Sequence, residues 1–351
     1  MRRALVAAGA AVAVAATTAL ATGCSSSSAG TTGSSGGQVV LRLGFLTNIT
    51  HAPALIGISK GFFAKDLGKK VTLVLKPFGT GTEEATALLA GQLDAAYVGP
   101  NPTIKAWQTS KGSLIRVISG AASGGAELVV KKGINSPAQL KGQKLATPSL
   151  GNTQDVALRY WLSQHHLTAT QTGGGDVPIT PITPNSAAVL QFKSGQIAGG
   201  WEPAPYDIEM VADGGHVLVN EASLWPGGQF ITTNLVVTSK FLQANPSTVS
   251  DLLKGQIDSN NYIHNDQAAA ESAANAELGK LTGKSLDPSV VKASFQQITF
   301  SDDPVSASLA ADAQHAVKVG LLDPVSNIGG LYDLSPLNTL LKADGQPQVS
   351  S

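Results

Sequence analysis

Apolar positions along this chain come in two textures that alternate. Short runs rich in β-branched residues and leucine, VVLRLGFL (39–46), KVTLVLKPF (70–78), LDAAYVGP (93–100) and LIRVISGAA (114–122), read as buried strands. Between them lie stretches with helical spacing: ALIGISKGFFAKDL (54–67), GTGTEEATALLAGQ (79–92) and NPTIKAWQTS (101–110). Thr80 and Glu83 have the spacing of a capping box and start the second of these helices. The same texture returns with ELVVKKG (127–133), KLATPSL (144–150), the helical GNTQDVALRYWLSQHHL (151–167), PITPI (178–182) and IAGGWEP (197–203). Asn185 reads as the cap of a helix over NSAAVLQFKSGQ. QFITTNLVVTSKFL (229–242) reads as a strand returning from this section, and 245–345 is mainly amphipathic helix. Alternating strands and helices predict mainly parallel sheets covered by helices on both faces.

The two sections match at an offset of 104: AGQLDAAYVGP (90–100) falls on SGQIAGGWEPA (194–204), and Tyr97 falls on Trp201. At the same offset the loop Thr47-Asn48 falls on Gly151-Asn152, again between a strand and a helix. A repeated strand–loop–helix series implies two similar α/β lobes. In open α/β sheets ligands bind beyond the carboxyl ends of the strands. Two facing lobes would therefore surround one cleft with helix N-termini, whose unpaired N–H groups suit an anion.

The start of the chain has a different character. Arg2 and Arg3 precede an uncharged, alanine-rich run from Ala4 to Leu20. A basic end, an apolar stretch and then small residues make a secretory signal; the other reading is a membrane anchor, for which the run is just short of the ~20 residues needed. Cys24 is the only cysteine, so no disulfide is possible within the chain. Ala21-Thr22-Gly23-Cys24 resembles a bacterial lipobox, in which the cysteine is lipidated and becomes the new N-terminus; the alternative is a free thiol without a role. The expected parts are a signal peptide (1–23), a Ser/Gly-rich flexible tether (24–37), a discontinuous lobe I (38–124 and 235–351) and lobe II (125–234).

Charge narrows the partners. Lys+Arg and Asp+Glu both number 24, so there is no basic surplus for nucleic acid. No nucleophile elbow, P-loop or dinucleotide fingerprint stands in a strand–turn–helix context, and His165-His166 are adjacent rather than one helical turn apart. No cofactor and no metal is called for.

The lipobox, the duplicated lobes, GNTQDVALRYWL, SGQIAGGWEP and LWPGGQF together resemble substrate-binding proteins of ABC importers. Within these the chain is most similar to the group that binds aliphatic sulfonates, taurine, nitrate and thiamin precursors. The resemblance covers roughly 39–340. It implies an α/β fold of the type II periplasmic-binding-protein kind: two similar doubly wound lobes, a hinge of two strands near 119–127 and 229–236, and a ligand cleft between the lobes. It also implies a monomer that is lipid-anchored outside the cytoplasmic membrane and delivers a small anionic or zwitterionic solute, best an aliphatic sulfonate or taurine, to a membrane permease. A nitrate- or thiamin-precursor-binding protein of the same fold, an enzyme on that fold and an anchored lipoprotein with an empty cleft are the alternatives.

Loops at strand ends then supply the candidate ligand contacts. Asn48 and His51 come from the first, with Asn48 as a turn residue the plainer reading. Gly79, Thr80 and Thr82 come from the second, where small residues admit a ligand to backbone N–H groups. Gly99 and Asn101 lie in a proline-bracketed third. Gly151, Asn152, Thr153 and Gln154 open a helix and are the best anion candidate, compatible with capping by Asn152. Trp201 and Glu202 would be an aromatic wall and an acid for a cationic ligand end; core packing and a solvated turn are their plainer readings. The hinge passages add Ser123, Gly124 and Gln229. Arg42, Arg116 and Arg159 lie outside these loops, so backbone amides and hydroxyls, rather than an arginine fork, are expected to hold the anion.

Overall fold

The computed structural model describes residues 38–325 and 327–351; Cys24, the signal and the tether lie outside the described residues. The first run of elements is β1 (Val39–Leu46), α1 (Ala52–Ser59), α2 (Phe62–Leu67), β2 (Val71–Phe78), α3 (Gly81–Leu89), β3 (Ala95–Val98), α4 (Pro100–Thr109) and β4 (Ile115–Gly124). The second is β5 (Ala126–Lys131), β6 (Leu145–Thr147), α5 (Thr153–Gln164), β7 (Ile179–Pro181), α6 (Asn185–Lys193), β8 (Gly199–Pro203), α7 (Tyr206–Ala212) and β9 (Gly215–Asn220). The third is β10 (Ile231–Thr238), α8 (Ser239–Ala244), α9 (Pro246–Asn265), α10 (Gln267–Thr282), α11 (Pro288–Gln297), β11 (Ile298–Phe300), α12 (Ser306–Lys318) and α13 (Ser335–Ala343).

These strands form two sheets of the same plan. One has the order β11-β4-β10-β3-β1-β2 and the other β7-β6-β8-β5-β9. In each, one strand sits between two parallel neighbours: β1 between β2 and β3, β6 between β7 and β8. Next to β3 and β8 lies an antiparallel neighbour, β10 in the first sheet and β5 in the second. Each of these is the strand that follows a crossing from the other sheet. The chain crosses at Gly124-Gly125 and again between Asn220 and Ile231. At the first crossing both glycines are left-handed (φ 86° and 74°), and a Cβ on Gly124 would fall 2.5 Å from the Gln297 carbonyl oxygen. The expected two-lobed, doubly wound α/β architecture is thus present.

Burial explains why the sheets are covered on both faces. Phe45, Leu55, Phe63, Tyr97 and Leu252 pack on one face of the first sheet, with α1, α9 and α10. Leu88, Val98, Ile104 and Leu309 pack on the other, with α3, α4 and α12. The second sheet is sandwiched in the same way by Leu128, Leu158, Trp161 and Phe230 on one side and by Ala188, Phe192 and Met210 on the other. Among the described residues no helix is long and apolar enough to cross a membrane.

The internal match is physical. Gly91 and Gly195 both end a helix in the left-handed conformation (φ 67° and 82°). Tyr97 and Trp201 are both completely buried on the third strand of their sheets. The Tyr97 hydroxyl donates to Gln256 at 2.6 Å, and Trp201 Nε1 donates to Glu221 at 2.7 Å. Trp201 is therefore core, packed edge-on against Trp161, and not the aromatic wall of a cleft.

Local signals misled in four further places. The helical reading of 54–67 breaks into α1 and α2 at Gly61 (φ 73°). The returning strand ends at Thr238, whose hydroxyl caps α8 by accepting from the Phe241 N–H. The N-cap of α6 is Pro184, so Asn185 is its first residue and caps nothing. Strands β9 and β11 were not expected: β9 is a short edge strand and β11 only three residues, too brief for a periodic pattern.

Replacing Trp201 by Phe keeps most of the volume but strips the buried Glu221 carboxylate of a donor. Denaturant unfolding of Trp201→Phe is expected to show a loss of about 1–3 kcal/mol with unchanged ligand affinity in the folded protein. A loss of affinity at unchanged stability would restore Trp201 to the cleft wall.

Candidate functional site

Each parallel strand ends in a loop that turns into a helix, and these carboxyl ends from both sheets meet around one cavity. Leu46, Asn48, Thr50 and His51 line it from the end of β1, Gly79, Thr80 and Gly81 from the end of β2, and Gly99 and Pro102 from the end of β3. The second lobe adds Pro148, Asn152, Thr153 and Gln154 after β6, Asn185 after β7 and Pro203 at the end of β8, while Thr232 comes from β10. The cavity measures about 30 Å³. At ~10–15 Å³ per enclosed water, that is room for one small polar head group. No Lys, Arg, Asp or Glu is in its lining.

The donors are mostly backbone. At α5, Asn152 caps by accepting the Asp155 N–H at 2.9 Å, and the first intrahelical bond runs from Val156 to Asn152. This leaves the N–H groups of Thr153 and Gln154 without an internal acceptor. At α3, Thr80 accepts the Glu83 N–H while Glu83 receives the N–H groups of Gly79 and Thr80, completing the expected capping box. The N–H groups of Gly81 and Thr82 stay free. With α4 and α6 also starting at the cavity, several partial positive helix ends face one small space.

His51 adds a side-chain donor. Its Nδ1 accepts the Leu46 N–H at 3.1 Å, so the proton sits on Nε2. The ring is 1% exposed, and burial pushes its pKa down to about 3, so it is a neutral donor at physiological pH.

Asp155, itself fully buried, sets the loop before α5. Its carboxylate accepts from Thr147 Oγ1 at 3.1 Å, from the Gly151 N–H at 2.9 Å and from Arg159 Nε at 2.9 Å. Arg159 also donates to the Thr170 carbonyl. The arginine thus shapes the loop through Asp155 and does not line the cavity.

Of the residues singled out in the sequence, Asn48, His51, Gly79, Thr80, Gly99, Asn152, Thr153 and Gln154 line the cavity. Thr82 instead donates to Ser149 Oγ at 3.0 Å beside it. Asn101 turns away and donates to the Asp312 carbonyl at 3.3 Å. The Gly151 backbone serves Asp155, Ser123 accepts the Phe230 N–H, Gly124 makes the crossing, and Gln229 is exposed. Glu202 is completely buried on the face of β8 opposite Trp201, with no partner for either oxygen. Burial first, and the neighbouring Asp207 second, raise its pKa well above the carboxylate range, so it is held neutral behind the cavity wall.

Asn185 and Thr232 were missed as site residues. Asn185 is 5% exposed, and its Oδ1 has no partner. The signal for Thr232 was in the sequence: Thr232-Thr233-Asn234 places three polar residues in an otherwise apolar strand.

The lobes meet closely on either side of the cavity. Ile49 N–H donates to Ala204 O at 3.3 Å, and the Tyr206 hydroxyl donates to Thr47 O at 3.3 Å. Farther out, the Tyr160 ring on α5 stacks on His315 of α12, centroids 3.6 Å apart.

Comparison with known proteins fits this architecture. The model of the NMT1-like family matches residues 35–277. The chain belongs to that family. It is 25% identical over 289 residues to the taurine-binding periplasmic protein of Escherichia coli, covering 78% of this chain and 86% of that one. Among solved structures, the alkanesulfonate-binding protein SsuA from Xanthomonas axonopodis pv. citri, bound to MOPS, superposes with a TM-score of 0.67 at 18% identity, covering 82% of this chain and 95% of that one. The periplasmic nitrate-binding protein NrtA from Synechocystis PCC 6803 gives 0.74 at 15% identity, covering 87% and 89%. These likenesses confirm the shared fold of this NMT1-like protein.

In this NMT1-like chain, Gly99 of the first lobe faces Thr153 of the second closely across the site. A Cβ there would lie 2.7 Å from Thr153 Oγ1, while its φ of −67° suits any residue. Gly99→Val is expected to weaken ligand binding at least about tenfold in calorimetry, with ligand-free thermal stability close to the parent's. Unchanged affinity would mean that closure across Gly99 and Thr153 is not part of binding.

Proposed function

We propose that this protein is the extracytoplasmic solute-binding component of an ABC importer and that its ligand carries a sulfonate head group. The observation that carries this is the cavity lining: free N–H groups at helix starts, a neutral His51 donor and hydroxyls, with no charged side chain. A sulfonate is weakly basic and spreads one charge over three oxygens, so it suits many partial donors arriving from several directions. A carboxylate or phosphate is more often met by an arginine fork. The names of the relatives, a taurine-binding protein and an alkanesulfonate-binding protein, support the same reading.

Taurine is a second reading. Glu202, with two unpartnered buried oxygens next to the lining residue Pro203, is the carboxyl that would favour it. Its protonated state speaks for an uncharged tail unless an ammonium group arrives to ionise it. Lipid attachment at Cys24 would hold the two lobes beside the membrane and its permease. A diacylglycerol supplies the two chains that stable anchoring needs.

Ligand capture is then non-covalent. The head group bridges donors from both lobes and so favours the closed arrangement. Calorimetry of the purified protein with methanesulfonate, ethanesulfonate, taurine and nitrate tests this. Binding of the sulfonates in preference to nitrate is expected, with ethanesulfonate at least matching taurine. Preference for nitrate would overturn the head-group assignment. A taurine preference abolished by Glu202→Gln would establish the second reading. Retention of Cys24→Ser in the membrane fraction in processed form would remove the anchor.

A further inference from the structure

A second space lies directly against the ligand cavity. It is a groove of about 390 Å³, more than ten times the cavity's volume. Pro102 belongs to both walls. Gly81 lines the cavity and Thr82 the groove; Asn152 lines the cavity and Gly151 the groove. Chain neighbours thus line the two spaces, and Thr82 on the groove wall donates to Ser149 of the other lobe. Both lobes build the groove: α3 and α4 on one side, Leu150 and Val156 on the other, with Leu321 and Leu322 beyond α12. It is complete only when the lobes are together.

Its chemistry differs from the cavity's. The walls are mostly alanine, leucine, valine and proline, with Thr82, Thr86, Thr109 and Asn101 among them, and Lys105 is the one charged side chain in the lining. Two leucines, Leu89 and Leu150, stand 42% and 48% exposed there, one from each lobe. An apolar occupant would cover both and would join the lobes by burial as the head group joins them by hydrogen bonds.

We infer that the groove receives the apolar tail of the ligand whose anionic head occupies the cavity. The occupant is one molecule, an alkyl or aryl sulfonate, passing between Thr82 and Ser149 in place of their mutual hydrogen bond. This rests on the sulfonate head-group reading and extends it to the tail. The cavity has no room for more than the head, so a longer ligand must leave it, and this groove shares its wall.

Calorimetry with methane-, butane- and octanesulfonate tests the inference on the parent protein and on Thr86→Trp, which fills the groove from the exposed face of α3. In the parent, affinity is expected to rise about fourfold per methylene between methanesulfonate and butanesulfonate. In Thr86→Trp the rise is expected to vanish while methanesulfonate binds as before. Leu89→Asn, a milder change on the same wall, is expected to reduce the rise and guards against misfolding of the tryptophan variant. Methanesulfonate binding with no dependence on chain length in the parent would overturn the groove while leaving the head-group reading intact. An undiminished rise in folded Thr86→Trp would do the same. If methanesulfonate itself does not bind, the head-group reading fails and the groove assignment falls with it.

Discussion

The ligand cavity depends on one buried ion pair that never touches it. Asp155 and Arg159, one helical turn apart, have side chains 0% and 2% exposed. Removing either partner of such a pair leaves an uncompensated charge, typically at a cost of about 3–5 kcal/mol. The carboxylate uses its remaining capacity on the Gly151 N–H and the Thr147 hydroxyl, tying the end of β6 to the start of α5. Gly151 can follow this path because it is left-handed (φ 75°). With the loop so fixed, the first N–H groups of α5 point into the cavity without being consumed. The charge pair thus makes an uncharged donor array possible: the cation is buried against its own acid, and the ligand meets only dipoles.

Closure follows the same logic. The lobes touch through a few polar contacts beside the cavity, through Gly99 against Thr153, and through the stacked Tyr160 and His315 farther out. None of these is a large apolar interface, so the two arrangements of the lobes need differ by only a few kcal/mol for a ligand to choose between them. His315 belongs to this outer contact, and burial together with Lys318 lowers its pKa to about 4. It is therefore neutral in the closed form at physiological pH, and Tyr160 stacks on an uncharged ring.

Much of this was legible in the residues, for identifiable reasons. Strand-end loops announced themselves through Gly, Pro, Asn and Thr between apolar runs, and all but a few of the lining residues fall within those loops. The offset of 104 was a real signal: it pairs Gly91 with Gly195 and Tyr97 with Trp201 as structural equivalents. What failed was side-chain direction. Asn101 after β3 and Asn152 after β6 both stand at a helix start and look alike, yet Asn152 lines the cavity and Asn101 reaches the backbone of α12. Trp201 and Glu202 are consecutive on a strand and so must point to opposite faces, and neither face here is the cleft. Asn185 looked like a cap because it opens a helix, but Pro184 already stood at that position. Such distinctions are set by packing between elements distant in the chain, which local patterns do not encode.

The central claim is that an anion is held by oriented dipoles alone. The most direct measurement compares methanesulfonate with methanesulfonamide, a neutral molecule of nearly the same shape, by calorimetry at neutral pH. Several helix starts, each worth up to about 1 kcal/mol toward a negative charge, should make the sulfonate bind roughly a hundredfold more tightly. Equal affinity for the two, or binding of neither, would contradict the account.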